Sequence, residues 1–160
     1  MVSLILICSF GIELKKMFQR IIVLFIVILS NSAFSQEKVE WTYTYDDVAN
    51  EIHLKAEMAD GWHLYSQHID DGIGPVPTSF TFDQNDAYKT VGKTTEPNPI
   101  VKYDPNFEGE LAFFSEEALF IQKIKVKKSG DVKGTIVFMA CNDEMCLPPE
   151  DKLFTISIEK

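Results

Sequence analysis

An all-β fold, an antiparallel β-sandwich, is what the sequence predicts, and three observations carry that expectation. Short stretches that alternate apolar and polar residues recur through residues 36–160. Turn-forming residues separate them. No stretch of the same region carries a convincing apolar stripe at helical spacing. Seven or so short strands in about 125 residues are the pattern of two packed antiparallel sheets.

The first strand is WTYTY (Trp41–Tyr45), where aromatic residues alternate with threonine. The second is EIHLKAEM (Glu51–Met58). Ile52, Leu54, Ala56 and Met58 share one face, and Glu51, His53, Lys55 and Glu57 the other, as in a half-buried strand. Between them DDVAN supplies Asp46, Asp47 and Asn50, residues that favour a hairpin turn. TSFTF (Thr78–Phe82) is β-branched and aromatic. ALFIQKIKVKK (Ala118–Lys128) ends with Ile124 and Val126 opposed to Lys123, Lys125 and Lys127, and SGD then marks a turn. VKGTIVFMA (Val132–Ala140) runs straight into Cys141, and KLFTISIEK places Phe154, Ile156 and Ile158 on one face. Two connections are expected as long loops, QHIDDGIGPVP (Gln67–Pro77) and KTTEPNPIVKYDPNFEGE (Lys93–Glu110). The one weak helical candidate follows Asp83. Loops this long inside a domain often carry function.

The amino end reads as an export signal over residues 1–35. Lys15, Lys16 and Arg20 precede the apolar run Ile21–Leu29, and Ala33 and Ser35 stand at the −3 and −1 positions of a cleavage site. The run is about half the ~20 residues that a spanning helix needs. Cleavage near Ser35 is expected, leaving a soluble domain over residues 36–160 in the periplasm or beyond; an uncleaved anchor is the alternative. Residues 1–16 read as an upstream extension, because Met17 opens a more usual signal. Cys8 lacks the small residue and basic lead-in of a lipidation site.

The full chain carries a net charge of −9, and loss of residues 1–35 removes three basic residues and one acidic residue, giving −11. That balance repels nucleic acid and anionic membrane surfaces.

Export puts Cys141 and Cys146, in MACNDEMCLPPE, where disulfides persist. Three readings stand side by side. As a structural brace, the six-residue loop is worth about 2 kcal/mol, against nearly 5 for a 100-residue loop. As a redox pair, a short loop between strand ends can open without unfolding, with the Cα atoms near the ~5.5 Å that a bridge prefers. Asp143 and Glu144 between the thiols raise their pKa, so the pair suits exchange with a partner that brings the low-pKa thiol. As a metal clip, Met139 and Met145 would join the thiolates around a soft ion such as Cu(I), although a lone Met is more often core filling.

DGWHLYSQHI (Asp60–Ile69), GPVPTSFTF (Gly74–Phe82) and ACNDEMCLPPE (Ala140–Glu150) together resemble the amino-terminal periplasmic domain of the thiol:disulfide interchange protein DsbD. The likeness covers roughly residues 38–159, and the cysteine motif with its Leu-Pro-Pro-Glu is the most specific part. It implies an immunoglobulin-like β-sandwich whose two cysteines link neighbouring strands. It also implies a relay of electrons from a membrane-embedded DsbD-type module to periplasmic thioredoxin-like proteins or disulfide isomerases, without metal, flavin or nucleotide. By the same resemblance Cys146 forms the mixed disulfide and Cys141 resolves it. Phe107 matches an aromatic cap over the pair, and His63 and Tyr65 match flanking positions. Their plain alternatives are a core aromatic for Phe107 and strand packing for His63 and Tyr65.

Two departures stand out. Four residues separate the cysteines where better-known members have five. No membrane module follows before Lys160, so the donor is expected on a separate protein. The rival function is an exported binding or adaptor sandwich with a structural disulfide, or a copper-binding module.

Overall fold

The computed structural model describes residues 37–69 and 74–160. The expected leader, its cleavage point and the upstream extension lie outside the described residues. Within them the strands are β1 (Val39–Asp46), β2 (Glu51–Met58), β3 (His63–Tyr65), β4 (Ser79–Phe82), β5 (Tyr88–Thr95), β6 (Ile100–Asp104), β7 (Gly109–Ser115), β8 (Glu117–Val126), β9 (Gly130–Phe138), β10 (Ala140–Cys141) and β11 (Glu150–Ile158). They form three sheets of order β1-β2-β8-β5, β10-β3-β7-β6 and β11-β9-β4. Every pairing between these strands is antiparallel. Among the described residues no helix is long and apolar enough to cross a membrane.

The β1–β2 hairpin forms where the acidic turn predicts it. Asp46 Oδ1 accepts the backbone N–H of Val48 at 3.0 Å and of Ala49 at 2.9 Å. Asn50 takes the left-handed conformation, φ 57°, which asparagine tolerates better than most residues. The apolar face of β2 is buried as its alternation requires, from Ile52 to Met58, and so are Phe154, Ile156 and Ile158 of β11.

The main core lies between the first sheet and the other two. Trp41 on β1 stands 5.8 Å from Phe120 on β8 and 5.6 Å from Phe138 on β9, and Phe80 on β4 stands 4.9 Å from Phe120. Each such side chain contributes roughly 1.5–3 kcal/mol through burial. Gly134 on β9 leaves room for this packing. A Cβ there would stand 2.1 Å from the Thr81 carbonyl oxygen and 2.6 Å from the Phe154 ring.

The segment Lys93–Glu110 is not the long loop its prolines suggest. It holds the end of β5, all of β6 and the start of β7. β5 and β6 are edge strands, and apart from Tyr88 at the start of β5 and Asp104 at the end of β6 their residues are mostly exposed on both faces. An edge strand without one dry face shows no alternation, which is why the pattern does not reveal it. β5 is further broken by a bulge between Val91 and Thr95. The buried Gln122 carboxamide fills it, accepting the Thr94 hydroxyl at 2.9 Å and donating to the Val91 carbonyl at 3.3 Å. The stretch after Asp83 is a turn rather than a helix, with the Ala87 N–H donating to Asn85 Oδ1 at 2.7 Å.

Candidate functional site

Strand register builds the site. In the second sheet Cys141 lies opposite His63, His63 opposite Ser115, Tyr65 opposite Phe113, and Asp104 opposite Gly109. Opposed residues share a face and successive residues alternate. Ala140, Leu64 and Phe114 therefore point into the main core. Cys141, His63, Tyr65, Leu111, Phe113 and Asp104 point the other way. On that outer face Tyr65, Leu111 and Cys141 form a second, smaller cluster, packed by Phe107, Phe113, Met139 and Cys146.

Cys141 and Cys146 form a disulfide and face each other directly across a hairpin. Their Cα atoms are 4.0 Å apart, closer than the ~5.5 Å expected from the sequence, because the four intervening residues make a tight turn. Asn142 shapes that turn. Its Oδ1 accepts the N–H groups of Glu144 at 3.0 Å and Met145 at 2.8 Å. The hairpin closes with Leu147 N–H donating to the Ala140 carbonyl at 2.9 Å. Cys141 is fully buried and Cys146 half-buried, while Asp143 and Glu144 are exposed. Among the described residues no group of three or more His, Cys, Asp and Glu has metal-site geometry.

The β6–β7 hairpin carries Phe107, the residue expected as the cap. Phe107 meets Tyr65 edge-to-face, with ring centroids 6.0 Å apart. Gly74 backs it: at φ +100° a Cβ there would stand 3.2 Å from the Phe107 ring. One hydrogen bond ties the cap to the cysteine turn, from Asn106 Nδ2 to the Asn142 carbonyl at 3.0 Å.

A buried polar group lies beside the disulfide. Tyr65 donates its hydroxyl proton to Asp104 Oδ2 at 2.5 Å, and His63 Nε2 lies 3.0 Å from that hydroxyl and 3.5 Å from Asp104 Oδ2. Asp104 Oδ1 accepts the Asn106 N–H at 2.8 Å, so one carboxylate holds both Tyr65 and the base of the cap. Burial pushes the His63 pKa below its ordinary value, against the pull of Asp104. Burial and the Asp104 hydrogen bond raise the Tyr65 pKa, so its hydroxyl stays protonated. For Asp104, burial favours the neutral acid, but the hydrogen bonds from Tyr65 and Asn106 and the neighbouring imidazole outweigh it and hold the pKa below the usual carboxylate value. A groove of about 620 Å³ opens beside this group, walled by Trp62, Tyr103, Phe113 and Asp143.

The structure brings together the five residues singled out in the sequence: Cys141, Cys146, Phe107, His63 and Tyr65. Asp104, Asn106 and Asn142 were missed. In YDPNFEGE an aspartate before Pro-Asn reads as a turn residue, and no local pattern shows that it is buried against Tyr65. Met139 packs on the small cluster and Met145 is exposed.

Two of the solved structures similar to this chain are DsbD amino-terminal domain structures. The Neisseria meningitidis DsbD amino-terminal domain in its reduced form superposes with a TM-score of 0.58 at 17% identity, covering 82% of this chain and 94% of that one. The complex between the DsbD and PilB amino-terminal domains of the same organism gives a TM-score of 0.57 at 17% identity, covering 78% and 88%. At that identity the likeness shows the fold, which is the immunoglobulin-like β-sandwich. No curated protein sequence matches the chain. The family model described as "Thiol:disulfide interchange protein DsbD, N-terminal" matches residues 31–158, and the chain belongs to that family.

Proposed function

We propose that this chain is an exported thiol–disulfide interchange protein that relays electrons through Cys141 and Cys146. The observation that carries this reading is the unequal exposure of one disulfide: Cys141 is sealed, Cys146 is half-buried, and an aromatic cap packs beside them. A partner reaches Cys146 when the cap lifts. In the reduced protein the Cys146 thiolate attacks a partner disulfide, giving a mixed disulfide and one partner thiol. Cys141 then attacks Cys146 Sγ, closing the internal disulfide and releasing the second partner thiol. Two electrons pass to the partner, and the reverse sequence recharges the pair. The complex of a related DsbD amino-terminal domain with a PilB amino-terminal domain supports a protein partner. The partners fitting this chemistry are a DsbD-type membrane electron-transfer protein as donor and periplasmic thioredoxin-like or isomerase proteins as acceptors. The signal-like amino end supports export.

Trapping in cells tests this. Cys141→Ser leaves Cys146 free to attack but unable to be released, so mixed disulfides with partners accumulate. Cys146→Ser traps none and abolishes exchange. Failure of Cys141→Ser to trap any partner, with a reduction potential below about −300 mV, would make the pair an inert brace.

A further inference from the structure

Cys141 is the thiol least able to ionise unaided. It is fully buried in the small cluster with Tyr65 and Leu111, and burial in apolar surroundings raises a thiol pKa. Resolution of the mixed disulfide nevertheless needs its thiolate. The imidazole of His63 stands directly across the strand pair from it, on the same face, where opposed Cβ atoms are about 4.5–5.5 Å apart.

Hydrogen-bond accounting settles which ring nitrogen is free. Tyr65 has one hydroxyl proton, and it goes to Asp104. The 3.0 Å contact between His63 Nε2 and the Tyr65 oxygen therefore needs the proton on Nε2. That leaves the Nδ1 lone pair without a proton, and among the described residues nothing donates to it. Burial also keeps the imidazole neutral at neutral pH, ready to take a proton. Of the other charged groups around the ring, Asp143 pulls the imidazole pKa up as Asp104 does, and burial outweighs both. The Asp104 carboxylate is committed to Tyr65 and Asn106. Asp60, Lys102, Glu116, Glu117 and Asp143, around the adjoining groove, are exposed.

We propose that His63 is the proton acceptor for Cys141 in the resolving step, through Nδ1, an assignment that rests on the exchange function proposed above. The Cys141 S–H proton passes to Nδ1 as the sulfur attacks Cys146 Sγ. The Cys141–Cys146 bond forms, the bond from Cys146 to the partner breaks, and its electron pair leaves on the partner sulfur. That thiolate takes up the imidazolium proton, or one from water, and His63 returns to its starting state.

Reaction of the reduced protein with 2,2′-dithiodipyridine tests this through thiopyridone release. The first equivalent reports attack by Cys146 and depends on probe concentration. The second reports attack by Cys141 and does not. His63→Gln is expected to lower the ratio of second-phase to first-phase rate near pH 7 by on the order of 10²-fold, and to remove the imidazole inflection from the second-phase pH profile. An unchanged ratio and an unchanged profile overturn the role of His63 while leaving exchange intact. Absence of thiopyridone release from the reduced wild-type protein overturns exchange itself, and this role with it. Two-bond ¹H–¹⁵N correlation of the native protein gives a check independent of any variant. The Nε2–H tautomer is expected at His63, and the Nδ1–H tautomer overturns the proposal.

Discussion

Asp104 accepts hydrogen bonds from Tyr65 and Asn106 and faces the His63 imidazole, so one carboxylate joins strand, cap and flanking ring. Its pKa and that of His63 both lie below their ordinary values. For His63 the unfolded chain takes a proton near pH 6.5 while the folded protein resists it, so the unfolded state binds more protons just below that pH and stability falls on acidification. For Asp104 the contribution is complete above the ordinary carboxylate pKa and is lost as pH falls through the folded value. The two effects share a sign. The melting temperature should drop between about pH 7.5 and pH 5, and His63→Gln should flatten that drop, as differential scanning fluorimetry across buffers would show. A pH-independent wild-type melting temperature would contradict this account. His63 and Tyr65 were singled out because HLY sits in a motif resembling a family, and the structure places both on the face of Cys141. Asp104 was not, because burial over a tertiary distance leaves no mark on the residues beside it.

Under the proposed function the β6–β7 hairpin acts as a light lid. Phe107 is half-buried, and one hydrogen bond, from Asn106, reaches the cysteine turn. Phe107→Ala should cost about 1–2 kcal/mol of stability through lost burial. The same change should speed reduction of the disulfide by dithiothreitol about tenfold, since the opened cap exposes the sulfurs. Gly74→Ala should act in the same direction, because the new Cβ presses on the Phe107 ring from a backbone conformation that costs about 1–3 kcal/mol for other residues. Reduction rates equal to wild type in both variants would rule out shielding by this loop. Phe107 was singled out by resemblance, and these reduction rates test its role as a cap. The strands that carry it were not legible, since β5 and β6 are edges with wet faces, whereas β2, β8, β9 and β11 announce themselves by alternation.

At the level of the whole molecule, the main core contains no cysteine. The disulfide closes a short loop on the outer face of one sheet, so its loss should cost about 2 kcal/mol. Calorimetry with and without reductant should show the melting temperature lowered by about 5–10 °C and a protein still cooperatively folded. Collapse on reduction would instead mark the bond as a brace on which the fold depends. The sandwich was legible because the core obeys period-two alternation from Trp41 to Ile158. The separate outer cluster was not, because β3 is three residues long and buried on both sides.

That doubly buried β3 separates what can drift over evolutionary time from what cannot. Leu64 is tied to the shared interior and can change only with its neighbours there. His63 and Tyr65, one residue to either side, belong to the outer face that carries Cys141. Under the proposed function, substitution at these alternate positions can retune reactivity for a new partner while the scaffold stays as it is.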